Sequence, residues 1–205
     1  LALTASGCAS DEETATATAE PAATAAATEA PTATPEPPPA PKPDAGDMLG
    51  ALVQIDGAGF AAINSNLNGD KPEISAAWLG KVQKASLAAK AVLWPDNMKG
   101  AVDAFVKAAA DLEAALKADD AAKAAPVAKA AAEAQAALSA ATYQAVGGMA
   151  KSTSGGGATL GALGVINLAG IATMEKTLVD GGEISAAWEG RVANARIAAS
   201  ALEWP

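Results

Sequence analysis

The chain is predicted to be all-α. It reads as tandem antiparallel four-helix bundles, up-down-up-down, behind a disordered Ala/Thr/Pro-rich tether, with the second bundle truncated. Three observations predict this. Alanine supplies 59 of the 205 residues, and alanine is the strongest helix former. Beyond residue 47, large apolar residues recur three and four apart, the spacing of one helix face. Residues 73–95 and 183–205 are identical at fourteen of twenty-three positions at an offset of 110. A domain-sized unit has therefore been duplicated.

The first eight residues run Leu1-Ala2-Leu3-Thr4-Ala5-Ser6-Gly7-Cys8, an apolar stretch leading through small residues to the only cysteine. This is the pattern at the end of a signal peptide. Ala5-Ser6-Gly7-Cys8 resembles the lipobox of bacterial lipoproteins, whose cysteine is lipidated and becomes the mature N-terminus. The family usually carries Leu where this chain has Ala5. The resemblance implies residues 1–7 as the end of a signal peptide, Cys8 as the lipidation site, and a membrane partner held through the lipid. It also implies a place in the cell envelope, facing the periplasm or the exterior. Two or more acyl chains give firm anchoring.

Residues 8–46 form the lipidated cysteine and a linker. Eight of the twelve prolines lie here, with no aromatic residue. Such a segment buries too little apolar surface to offset its chain entropy. Its end, residues 35–43, favours polyproline II. A PxxP ligand for a partner domain is the other use of such a stretch. The charge follows the same division. Residues 9–47 hold eight acids and one lysine, net −7, and residues 48–205 hold fifteen acids and thirteen basic residues, net −2, together the −9 of the chain. The tether is solvated and self-repelling.

Residues 47–150 form the first repeat. Helix one is expected from Met48 to Leu67 with Asp47 as N-cap, on a stripe of Leu49, Leu52, Val53, Phe60, Ile63 and Leu67. Asn68 to Pro72 is a turn. Helix two is expected from Glu73 to Leu93, ended by Trp94-Pro95. Asp96 should cap helix three, whose stripe is Met98, Val102, Phe105, Ala109, Leu112 and Leu116. Asp119-Asp120 make the next turn. Helix four should cover Ala121 to Val146, with Pro126 as a shifted start or a kink, and Gly147-Gly148 should stop it. Residues 151–158 are a Gly/Ser linker. Residues 159–205 are the first helical hairpin of repeat 2. Ser152 to Met174 carry no charge over 23 residues, enough to cross a bilayer. The matched segment of repeat 1 is an amphipathic bundle helix, which argues against a span.

The composition excludes several kinds of chemistry. With no histidine and one cysteine there is no Ser-His-Asp triad, no His-ligated haem, no Cys-rich zinc site and no internal disulfide. An acidic chain is a poor ligand for nucleic-acid phosphates. No cofactor, metal site or catalytic constellation is expected, and the chain is read as non-enzymatic.

A few residues are candidates for contact with a ligand. Asp56 falls on the inward stripe of helix one, and Asn167 matches it in repeat 2. A polar group there needs a partner or water. It serves as a ligand contact, or as a hydrogen bond that fixes helix register. Trp78 and Trp188 recur in register, as do Trp94 and Trp204. They are the main packing anchors, or an aromatic patch for a ligand. Glu73 and Glu183 should open helix two and complement its dipole. Met48, Met98, Met149 and Met174 are scattered, as core filling is.

The expected function is a membrane-anchored envelope lipoprotein. Its helical-bundle repeats act as a non-catalytic binding or scaffolding module with a protein partner in the envelope. The alternative is a solute- or metal-binding lipoprotein serving a transporter. The architecture is broadly similar to periplasmic helical bundles that bind metal or haem. Their histidine ligands and haem-attachment cysteines have no counterpart here, so the similarity brings no site with it.

Overall fold

The structure is a computed structural model. It describes residues 40–153, 156–183 and 185–204. Cys8, the signal-peptide residues and the tether to residue 39 lie outside the described residues. The fold is all-α. Its only strands among the described residues are two of two residues each, Ser152–Thr153 and Leu202–Glu203, paired in parallel.

The first helix differs from expectation at its start and in the middle, and ends at Leu67 as expected. α1 spans Ala45–Gly57, and its N-cap is Asp44, not Asp47. Asp44 Oδ1 accepts from the Gly46 and Asp47 amides at 2.8 and 3.1 Å. The continuous helix expected to Leu67 breaks at Gly59, whose φ of +76° only glycine adopts without strain. α2, Phe60–Leu67, then restarts in a new direction.

α3 spans Ala76–Ala91 with Ser75 as N-cap. Glu73 therefore precedes the cap and does not sit in the first turn, which corrects its expected role. Likewise Glu183 lies ahead of Ser185, the N-cap of the matching helix. Asp96 opens a 3-10 turn, Asp96–Met98, and α4 follows as Lys99–Lys117. α5 spans Ala121–Gly147 with Pro126 inside it, and Asp120 caps it by accepting from the Lys123 amide at 3.1 Å. Asp119 takes the positive φ, +52°, that the turn demands. The Asp119-Asp120 pair is thus spent on a turn and a cap.

α1, α3, α4 and α5 close on one core, with α2 lying on α5. Phe60 and Phe105 meet edge-to-face at its centre, their ring centroids 5.3 Å apart. Met48, Leu49, Leu52, Ile55, Leu112 and Leu138 complete it, all fully buried. The tryptophans are not the main anchors. Trp78 and Trp94 are half-buried at the core's margin. The Trp94 indole donates to the Ala89 carbonyl at 2.7 Å, and Trp204 repeats this with Ala199 at 2.6 Å. In both copies this tryptophan closes the end of its helix.

The second copy repeats the first element by element. α6 spans Gly156–Leu168, α7 Ile171–Val179 and α8 Ala186–Ser200. Gly170, the counterpart of Gly59, again breaks the helix, at φ +71°. The uncharged stretch is thereby split into helices of 13 and 9 residues. Taken end to end, Gly157–Val179 still has the length and apolar composition of a span.

The second copy packs on the first through α1 and α6. A Cβ on Gly161 would fall 2.6 Å from the Gly50 backbone nitrogen, and one on Gly164 would fall 2.8 Å from Val53. At Gly161 glycine is needed because backbone meets backbone, and at Gly164 it leaves room for the Val53 side chain. α8 also reaches α5. Ser152 binds the junction, donating to Asp44 Oδ2 at 2.6 Å and accepting from the Gly46 amide at 3.2 Å.

Candidate functional site

The sequence-predicted candidate Asp56 lies at the end of α1, one residue past the core-facing Ile55, and is half-buried. Opposite it, α5 presents Gln135, Ser139 and Tyr143 at intervals of four, one face of a helix. The Gln135 amide donates to Asp56 Oδ1. The Ser139 hydroxyl donates to the same oxygen at 3.1 Å, and Gln135 also donates to Ser139 Oγ at 3.1 Å. A carboxylate on the edge of an apolar stripe has thus found the partners it needs across the helix seam. Its Oδ2 has no protein hydrogen bond among the described residues.

Burial pushes the Asp56 carboxyl above the ordinary aspartate range, and the bonds from Ser139 and Gln135 draw it part of the way back. Burial, with the Asp56 charge nearby, pushes the Tyr143 phenol up to about 12. The phenol is therefore a neutral hydrogen-bonding group throughout the physiological range.

These four side chains open onto a cleft of about 460 Å³. Its other wall belongs to the second copy: Val165, Leu168 and Ala169 from the end of α6, and Arg191 and Asn194 from α8. The cleft therefore exists only where the two copies meet. It combines one carboxylate, one guanidinium and several neutral donors with apolar surface from Ala61 and Leu168. Arg191 is exposed and makes no ion pair among the described residues. The size and the mix of apolar wall with a few convergent polar groups are those of a small-molecule site.

The other candidates lie elsewhere. Asn167 is exposed, without a side-chain hydrogen bond among the described residues, in an open groove of about 540 Å³ beside Gly170 and Ile171. Trp188 lines a second groove, of about 510 Å³, with Met174 and Val192. Trp78 packs against the core. The structure brings none of these three to the Asp56 cleft. Met48 and Met98 are buried in the core, while Met149 is at its edge and Met174 is in the second copy. Among the described residues no three acidic or thiol groups cluster. A lone carboxylate gives a hard cation too few oxygens.

Compared with family models, curated proteins and solved structures, the chain matches none of them. The functional reading therefore rests on the cleft.

Sequence reasoning missed Gln135, Ser139, Tyr143, Arg191 and Asn194. A signal was present for the first three. Polar side chains at i, i+4 and i+8 on an alanine-rich helix mark a face that is neither core nor charged surface. Arg191 and Asn194 look like solvated surface until the two copies are placed together.

Proposed function

We propose that the chain is the non-catalytic binding module of a lipid-anchored envelope protein, and that the Asp56 cleft is its ligand seat. The anchor is Cys8, read from the lipobox-like residues before it, and the acidic, proline-rich tether holds the module off the membrane. The repeat is a four-helix unit: α1 with α2, α3, α4 and α5 form one, and α6 with α7 and α8 correspond to α1 with α2 and α3.

The observation that carries the ligand reading is a half-buried carboxylate with one oxygen that accepts no hydrogen bond among the described residues, in a cleft whose facing wall holds an arginine with no ion pair among them. A small zwitterion answers both groups. Its ammonium meets Asp56 Oδ2, its carboxylate meets Arg191, and a short apolar portion lies against Ala61 and Leu168. This favours the solute-binding form of the function over a metal-binding one, since only one acidic group is present.

The test is calorimetric titration of the protein with free L-amino acids and, separately, with putrescine. Amino acids should bind, and both Asp56→Asn and Arg191→Gln should weaken binding. Binding of putrescine alone, lost only in Asp56→Asn, would make the ligand a cation. Failure of both to bind would remove the ligand reading. The anchor has a separate test, because Cys8→Ser should move the protein from the membrane fraction to the soluble one.

A further inference from the structure

The two copies meet in parallel and in register. Gly161 rests on Gly50 and Gly164 on Val53, and at an offset of 111 each is the other's counterpart. Parallel helices that touch through the same residues are related by a two-fold axis running along the pair. The same rotation carries α5, which packs on α8, to a position against α3. Among the described residues nothing fills that position.

The surfaces facing it are apolar and uncovered. Leu160, Leu163, Ile171, Leu178 and Val192 are 46–71% exposed. Their counterparts Leu49, Leu52, Phe60, Leu67 and Val82 are 2% exposed or less. α3 carries the matching mark. Its Leu87 is 65% exposed, whereas the counterpart Ile197 reaches the end of α5, where a Cβ on Gly147 would lie 4.0 Å from it. Exposed apolar surface of this extent marks an interaction site.

We infer that the face formed by α6, α7, α8 and Leu87 is a docking surface for an alanine-rich, antiparallel helical hairpin of the α4–α5 kind. The inference takes up the four-helix reading of the repeat and is independent of the ligand. The interface already exists once in the chain, where Phe105, Leu112 and Leu138 of α4 and α5 cover the equivalent face of the first copy. A second copy of the chain cannot lend its own hairpin, because those residues are fully buried in its core.

The experiment appends a second copy of residues 96–150 after Pro205, the connection that follows Pro95 in the first copy. The extended chain should remain monomeric, its appended helices should resist amide exchange, and its binding of the dye ANS should fall. Leu163→Asp and Leu87→Asp, both at exposed positions, should each release the appended helices while residues 45–200 stay protected. Free-peptide exchange of the appended segment overturns the inference. So does its continued protection in Leu87→Asp, which removes the two-fold placement. Sedimentation of the unextended chain as a dimer with protected α6–α8 also overturns it, because the occupant is then a second copy.

Discussion

Replacing Gly161 by alanine and replacing Gly50 by alanine are the same chemical change at matched positions, yet the structure gives them opposite signs. Both residues lie inside helices, where alanine is favoured over glycine by about 1 kcal/mol. A Cβ on Gly50 meets nothing within 4 Å. Gly50→Ala should therefore keep the full gain. A Cβ on Gly161 falls 2.6 and 2.9 Å from the Gly50 nitrogen and Cα. Backbone cannot swing aside, so α6 must lift from α1. Overpacking of this kind costs about 1–3 kcal/mol, and contact with backbone puts it at the upper end. Less the propensity gain, Gly161→Ala should lose about 2 kcal/mol. For a folded unit of this size, about 1 kcal/mol moves Tm by 2–4 °C. Thermal unfolding followed by circular dichroism should show Gly50→Ala melting above the wild type and Gly161→Ala melting about 4–8 °C below it. A Gly161→Ala protein as stable as Gly50→Ala would refute the close α1–α6 contact.

Other expectations follow from single contacts. Asp56→Asn keeps an acceptor for Gln135 and Ser139 while removing a desolvated charge. The native Asp56 carboxyl titrates above its unfolded value of 3.8, so the native state holds its proton longer. Wild-type stability should fall as pH rises from that value through the raised native one. Urea midpoints of the wild type and Asp56→Asn should coincide below that window and separate above it, the variant being the more stable. Gln135→Ala strips a donor from the charged group and should cost about 1.5–3 kcal/mol at neutral pH in the same assay. Leu138→Ala empties a fully buried core position and should cost about 2–5 kcal/mol, whereas exposed Leu87→Ala should stay within about 0.5. Asp44→Ala removes the cap of α1 and the Ser152 link, and should lower stability by at least about 1 kcal/mol in thermal melts.

Where large side chains carry the helical period, the elements are legible in the sequence. Val102, Phe105, Leu112 and Leu116 place α4, and the flanking Asp119-Asp120 place the start of α5. The duplication is equally plain, because the tryptophans and their flanks repeat. The breaks at Gly59 and Gly170 are not legible. Leu and Ile fall at helical spacing on both sides of each break, and one left-handed residue leaves no mark in the period. The role of Gly161 and Gly164 is not legible either, because only the fold shows that they let α6 lie against α1. Asp56 was legible as a polar residue on an apolar stripe. Its partners on α5, and the wall supplied by α8, depend on long-range packing that no local pattern encodes.

The cleft, its facing arginine and the uncovered second face all require α6 to be seated on α1. Amide exchange across residues 156–168 tests this most directly. A 13-residue helix is marginal in water by itself, so its protection must come from docking. The predicted result is that α6 amides are protected together with those of α1 and are released selectively by Gly161→Ala. Free-peptide exchange of α6 in the wild type, with α1–α5 still protected, would contradict the account and leave Asp56 without its opposite wall.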